Sequence, residues 1–223
     1  MKFWKKQLKK TNRGLVLALI LILGVVIFTI VDNINFKEEK PEIEQVITDY
    51  IDKMETFAVT PQEFLGKEEI SDEEFKPYQE KWNEYINKYW VYKKRNPDSI
   101  YWDTLMSDIK DMYSSLKYRN ENEQVISCSY DARNIKITKA GPNCATATLT
   151  LKMIAEYKDN ASILTPMYTE SFGWMMEEGE ENKVFKTKAE GKYTLTLERT
   201  SDGWKIYKCD GYITSMQDIT NEG

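Results

Sequence analysis

The chain has 223 residues, 41% of them hydrophobic, with 14 Tyr, 8 Phe and 6 Trp; this is too apolar and aromatic for a disordered chain and long enough for one sizeable core. Its formal net charge is −5 and it contains no histidine, which removes the commonest general base, the commonest zinc ligand and every Ser-His or Cys-His nucleophile pair. It also lacks a Walker-type loop, a dinucleotide glycine fingerprint, an EF-hand loop and zinc-type cysteine spacing.

Residues 1–13 carry Lys2, Lys5, Lys6, Lys9, Lys10 and Arg13 and no acid. The uncharged apolar run 14–31 follows. Lipid offers no partners to backbone amides, so such a run closes its hydrogen bonds as a helix, and at about 1.5 Å per residue it just spans a hydrocarbon core of about 30 Å. A cleaved signal peptide shares the basic start and apolar stretch. The exit Ile27-Phe28-Thr29-Ile30-Val31-Asp32-Asn33 has no small-x-small site, which favours a retained signal anchor in contact with membrane lipid. The positive-inside tendency places the basic tail in the cytoplasm and the C-terminal bulk outside it, in a cell membrane crossed once. The remainder then has 25 Lys and Arg against 36 Asp and Glu, a net of about −11, a poor surface for nucleic acid.

Residues 32–40 are polar and read as a linker, with the extracytoplasmic domain at 41–223. Pro41 is expected to open a helix whose buried stripe is Ile43, Val46, Ile47, Tyr50, Ile51, Met54 and Phe57. Ser71 and Glu74 form a capping-box pattern ahead of a second helix with the stripe Phe75, Tyr78, Trp82, Tyr85, Ile86 and Tyr89. That stripe is either core or a surface for partners or sugar stacking. A third helix is expected to follow Asn96-Pro97-Asp98-Ser99, from Ile100 to about Tyr118.

From Gln124 the period becomes two. Ala145, Ala147, Leu149, Leu151, Met153, Ala155 and Tyr157 mark the inner face of the clearest strand, paired through residues 139–143 with a strand at 125–138 whose Ile135 and Ile137 point the same way. A further strand carries Leu164, Tyr168, Phe172, Trp174 and Met176 on one side, and a last hairpin joins 193–197 to 204–207 through Ser201-Asp202-Gly203. The fold class is therefore α+β: one transmembrane helix, then three helices packed on a curled antiparallel sheet of four or five strands.

Cys128, Cys144 and Cys209 allow at most one internal disulfide; the proposed hairpin keeps the first two apart, and all three read as small buried side chains. Carboxylate chemistry would fall to Glu156, Glu170, Asp103, Asp108 or Asp111, each of which reads more simply as a surface charge. The acidic run Glu68, Glu69, Asp72, Glu73 and Glu74 lacks the ligand spacing of a calcium loop. Asn160-Ala161-Ser162 matches a glycosylation sequon. No catalytic residue, cofactor or metal is assigned, and the chain reads as a non-enzyme.

The order of three helices followed by an antiparallel meander ending in Asp202-Gly203-Trp204-Lys205-Ile206 resembles the nuclear transport factor two-like (SnoaL-like) superfamily of cone-shaped α+β domains. With a basic tail and a single anchor, it further resembles the bitopic scaffold subunit of conjugation and type IV secretion machines. That resemblance implies a non-enzymatic assembly hub with other membrane proteins, or copies of itself, as partners. The alternative is a binder of a small ligand or cell-wall glycan in a cone cavity. Trp82, Tyr85, Tyr89, Tyr168 and Trp174 are the candidate pocket or partner surface.

Overall fold

The computed structural model describes residues 13–91, 113, 117, 123–158, 161, 163–166 and 183–221. The chain divides into two compact units between Pro41 and Glu42. Helix α1 spans Arg13–Ala58. Between Leu15 and Ile34 the apolar side chains of the N-terminal unit stand open, with Leu15, Leu21 and Phe28 at 57%, 62% and 66% exposure, while Phe36 is buried. This stretch is long and apolar enough to cross a membrane.

Residues 32–40, expected as a linker, are helical, and Pro41 lies inside α1 instead of opening a new helix. Lys37-Glu38-Glu39-Lys40 are all good helix formers, and proline removes one amide donor without obliging the helix to end. The candidate membrane span and the first packing helix are thus one element.

In the C-terminal unit five members of the expected α1 stripe, Ile43, Ile47, Tyr50, Ile51 and Met54, are buried, Val46 and Phe57 are half-buried, and Ala58 is buried beside them. A short 3-10 turn, Gln62–Phe64, sets the Phe64 ring 4.7 Å from Tyr78. Helix α2, Asp72–Tyr89, begins with the expected capping box, in which the Glu74 amide donates to Ser71 Oγ and the Ser71 amide donates to Glu74 Oε2. Its buried face is Phe75, Trp82, Tyr85, Ile86 and Tyr89.

Among the described residues there are two α-helices, not the four expected with the anchor. Two of the expected helices have merged into α1, and the third packing helix lies outside the described residues apart from Tyr113 and Lys117.

Four strands follow, β1 (Gln124–Gly141), β2 (Cys144–Lys158), β3 (Val184–Thr200) and β4 (Gly203–Asp218), forming one antiparallel sheet in sequence order. The alternation read for β2 is reproduced, with every odd residue from Ala145 to Tyr157 buried. Ile137 is buried too, but Ile135 is only half-buried. A register shift between Arg133 and Lys136 sets Asn134 and Ile135 together opposite Leu149, and Asn134 takes the left-handed φ of 55°.

The last hairpin turns through Ser201-Asp202, with Gly203 at φ +101°, a conformation open to a residue without Cβ. Its strands run well past the expected 193–207. Of the strand expected after Asn160, residues 161 and 163–166 are described and belong to none of the four strands, while Tyr168, Phe172, Trp174 and Met176 lie outside the described residues.

The edges of the sheet are held by the helical part of the same unit. Trp90 forms a parallel bridge to Ile206, and the Val91 amide donates to the Ile206 carbonyl at 2.9 Å. At the β1 edge, the Thr60 amide donates to the Val125 carbonyl, and the Val125 amide returns a bond to Thr60 Oγ1. Glu55 Oε1 accepts from the Tyr130 amide at 2.9 Å.

Candidate functional site

Three of the five candidate side chains lie together, inside the fold. Trp82, Tyr85 and Tyr89 recur at three- and four-residue spacing on α2 and so share one face, and that face packs onto α1. The Tyr85 ring stacks on Tyr50 with centroids 5.3 Å apart, and Trp82 stacks on Tyr113 at 5.3 Å. Phe57 lies 4.8 Å from Tyr85 and 5.2 Å from Trp82. Trp82 is fully buried, and Tyr85 and Tyr89 nearly so. Tyr168 and Trp174 lie outside the described residues.

Three buried hydroxyls around this cluster are spent on backbone carbonyls, while the Tyr89 hydroxyl is buried with no hydrogen-bond partner among the described residues. Tyr85 donates to Tyr50 O at 2.6 Å, Tyr50 donates to Pro166 O at 2.5 Å, and Tyr130 donates to Leu164 O. Burial pushes all three phenols well above the ordinary tyrosine range, so they remain protonated donors. Cys128, next to Tyr130 on the same buried face, has its thiol pushed up to about 12 by burial. It is therefore no nucleophile at neutral pH.

Of the candidate carboxylates, Glu156 is half-buried on β2, while Glu170, Asp103, Asp108 and Asp111 lie outside the described residues. No group of three or more His, Cys, Asp or Glu side chains among the described residues could hold a metal ion.

A second site lies on the outer face of the sheet and was missed at the level of sequence. A groove of about 510 Å³ crosses the four strands. The strand register explains its shape. One row of outward side chains runs Lys136, Thr148, Thr194, Asp210, each opposite the next, and a second runs Arg133, Thr150, Lys192, Tyr212. Between the rows lie Leu149, Tyr193 and Gly211, with the Asn134 bulge at one end. Two rows two residues apart on β2, β3 and β4, and three apart across the β1 bulge, leave a channel about 7 Å wide between side-chain origins.

The alternation in β2 marks Thr148 and Thr150 as outward, while Lys192 lies outside the expected strand 193–197 and the sequence assigns no facing to Thr194. Only the pairing of all four strands brings them level.

No family model matches the chain, and no curated protein matches it. Solved structures do. The structures it is similar to are NTF2-like proteins and a type IV secretion protein. A scytalone dehydratase-like protein from Novosphingobium aromaticivorans is 12% identical, with 84% of this chain and 89% of that one covered at a TM-score of 0.43. An NTF2-like superfamily protein from Salmonella enterica serovar Typhimurium is 11% identical, with 79% and 92% covered at a TM-score of 0.43. An IcmL-like type IV secretion system protein from Legionella pneumophila is 12% identical, with 73% and 92% covered at a TM-score of 0.34.

Proposed function

We propose that this chain is a single-pass membrane protein whose α+β unit faces away from the cytoplasm and serves as an interaction or scaffold module. The observation that carries the reading is the open apolar surface of α1 from Leu15 to Ile34, a run of side chains that no other described residue covers. In water such a surface would aggregate; in a bilayer it is the expected exterior. The six positive charges in residues 1–13 favour a cytoplasmic tail and an exported C-terminal unit.

An interaction role is supported by how the interior is used. The aromatic stripe that could have lined a cone cavity is packed ring on ring, and the phenols of Tyr50 and Tyr85 donate to backbone carbonyls. What this unit offers to other molecules is its outside. A ligand-binding reading is also favoured by one observation, the groove across the outer face of the sheet, which places such a ligand outside the cone.

The test is crosslinking of the full-length chain in its native membrane, followed by mass spectrometry of what is captured. Reproducible capture of other membrane proteins, or of further copies of this chain, through residues 42–221 is the expected result. A correctly inserted sample that captures neither overturns the scaffold reading.

A further inference from the structure

The groove on the outer face has a chemistry that narrows what it can hold. Its lining brings Lys136 and Lys192 to the same channel, and neither has an ion-pair partner among the described residues. The carboxylate in the lining, Asp210, is already taken by Lys208, whose Nζ sits 2.5 Å from Asp210 Oδ2. The groove is therefore a cationic strip on a unit that is strongly acidic as a whole, and it complements an anion.

Around the two ammonium groups stand Asn134 and the hydroxyls of Thr148, Thr150 and Thr194, which make no side-chain hydrogen bond among the described residues. At one end Tyr212 presents its ring at 58% exposure.

Three classes of anion can be weighed against this lining. A bound peptide draws its affinity from an open strand edge or from apolar pockets for its side chains; this groove runs across the strands, and its outward side chains are polar. Single-stranded nucleic acid uses a succession of aromatic platforms, and only Tyr212 stands exposed here. A chain of sugars bearing carboxylates needs amines for the charges, hydroxyls and an amide for its hydroxyl groups, and a ring against which a sugar face can stack. That is the set present. Four strands spaced about 4.8 Å apart give a channel of roughly 14 Å, long enough for a short run of sugar rings.

We infer that the outer-face groove between the Lys136-to-Asp210 row and the Arg133-to-Tyr212 row binds an acidic polysaccharide, with Lys136 and Lys192 on its carboxylates and Tyr212 stacked on a sugar face. This deepens the interaction-module reading by naming a ligand class and rests on that reading's extracytoplasmic placement.

The experiment uses the full chain in nanodiscs of zwitterionic lipid, titrated calorimetrically with a short oligogalacturonide. A neutral maltooligosaccharide of equal length and inorganic phosphate serve as comparisons. The acidic oligosaccharide should bind and the neutral one should not. Lys136→Ala with Lys192→Ala should weaken binding on the order of tenfold, Tyr212→Ala about fivefold, and Lys76→Ala, on exposed α2 surface, not at all.

Absence of binding at millimolar ligand, equal binding of the neutral chain, displacement by phosphate at comparable concentration, or variants that bind as the parent does would each overturn the inference. Crosslinked partners without glycan binding would overturn this inference and leave the scaffold reading standing. Glycan binding with no captured partner would do the reverse.

Discussion

Tyr50 links three parts of the C-terminal unit through two bonds: its hydroxyl donates to Pro166 O and its carbonyl accepts from the Tyr85 hydroxyl. Deleting either hydroxyl leaves the ring stacking in place and removes one buried bond. Tyr50→Phe and Tyr85→Phe should each cost about 1–2 kcal/mol in urea denaturation, with no change in the denaturant slope. Two smaller effects belong to the same scale. Glu74 is held down to about 2, first by Lys67 and then by the Ser71 amide. Because its folded value lies below its unfolded one, its contribution is full above the ordinary carboxylate range and is lost as pH falls from about 4.5 toward 2. Carbon-detected NMR should place its midpoint near 2, and Glu74→Gln should flatten the acid limb of α2 unfolding. Burial raises the thiols of Cys128 and Cys209. Cys128, which is buried, should be silent to a disulfide reagent at pH 8 in the native protein, while Cys144 and Cys209, half-exposed where burial was expected, react, Cys144 beside the β1–β2 turn first.

Among the elements, the β3–β4 pair has the least room for change. The Tyr193 ring lies over two glycines: a Cβ at Gly191 would fall 2.5 Å from its Cε2, and one at Gly211 would fall 2.2 Å from its Cδ1 and 2.6 Å from the Lys192 carbonyl. Both alanine variants should destabilise the sheet, Gly211→Ala the more, by about 1–3 kcal/mol or above. Adding Tyr193→Ala should relieve much of the cost at Gly191, where only the ring intrudes. It should relieve little at Gly211, where backbone does, and a double-mutant cycle separates the two. The sequence shows these elements unevenly. The alternation in β2, the turn residues and the α1 stripe were legible because each is a local period or a local conformational demand. The bulge at Asn134 was not, since a one-residue slip depends on the partner strand, and the same limit hid the groove, whose rows exist only once four registers are set. That the stripe of α2 turns inward was also beyond reach, because a helix presents the same spacing to a core as to a partner. Pro41 misled for a related reason: it is tolerated at a helix start and, at the cost of one bond, within a helix.

For the molecule as a whole, the governing fact is the open apolar surface of α1 between Gly14 and Ile34. A single lysine at its middle should weaken insertion by about 2.5–3.5 kcal/mol, so Leu21→Lys should shift the chain from the carbonate-resistant membrane fraction toward the soluble or aggregated one. Full retention of that variant in the membrane fraction would contradict the anchor. Removal of residues 1–34 should abolish the detergent requirement while leaving the thermal unfolding of the remainder intact.

The order of the strands carries a further consequence, for how the chain reaches this state. Each strand pairs with its neighbour in sequence, so β1 with β2, and β3 with β4, can zip from turns of two residues soon after they are made. Joining the two hairpins means closing the stretch between Lys158 and Val184, and the extra entropy of that closure grows only slowly with its length. The bridge from Trp90 to Ile206 is different. It ties the end of α2 to the last strand across more than half the chain, so it should lock late, after both hairpins. Trp90 fluorescence should then report the final step of folding, and substitutions at this seam should change the unfolding rate more than the folding rate.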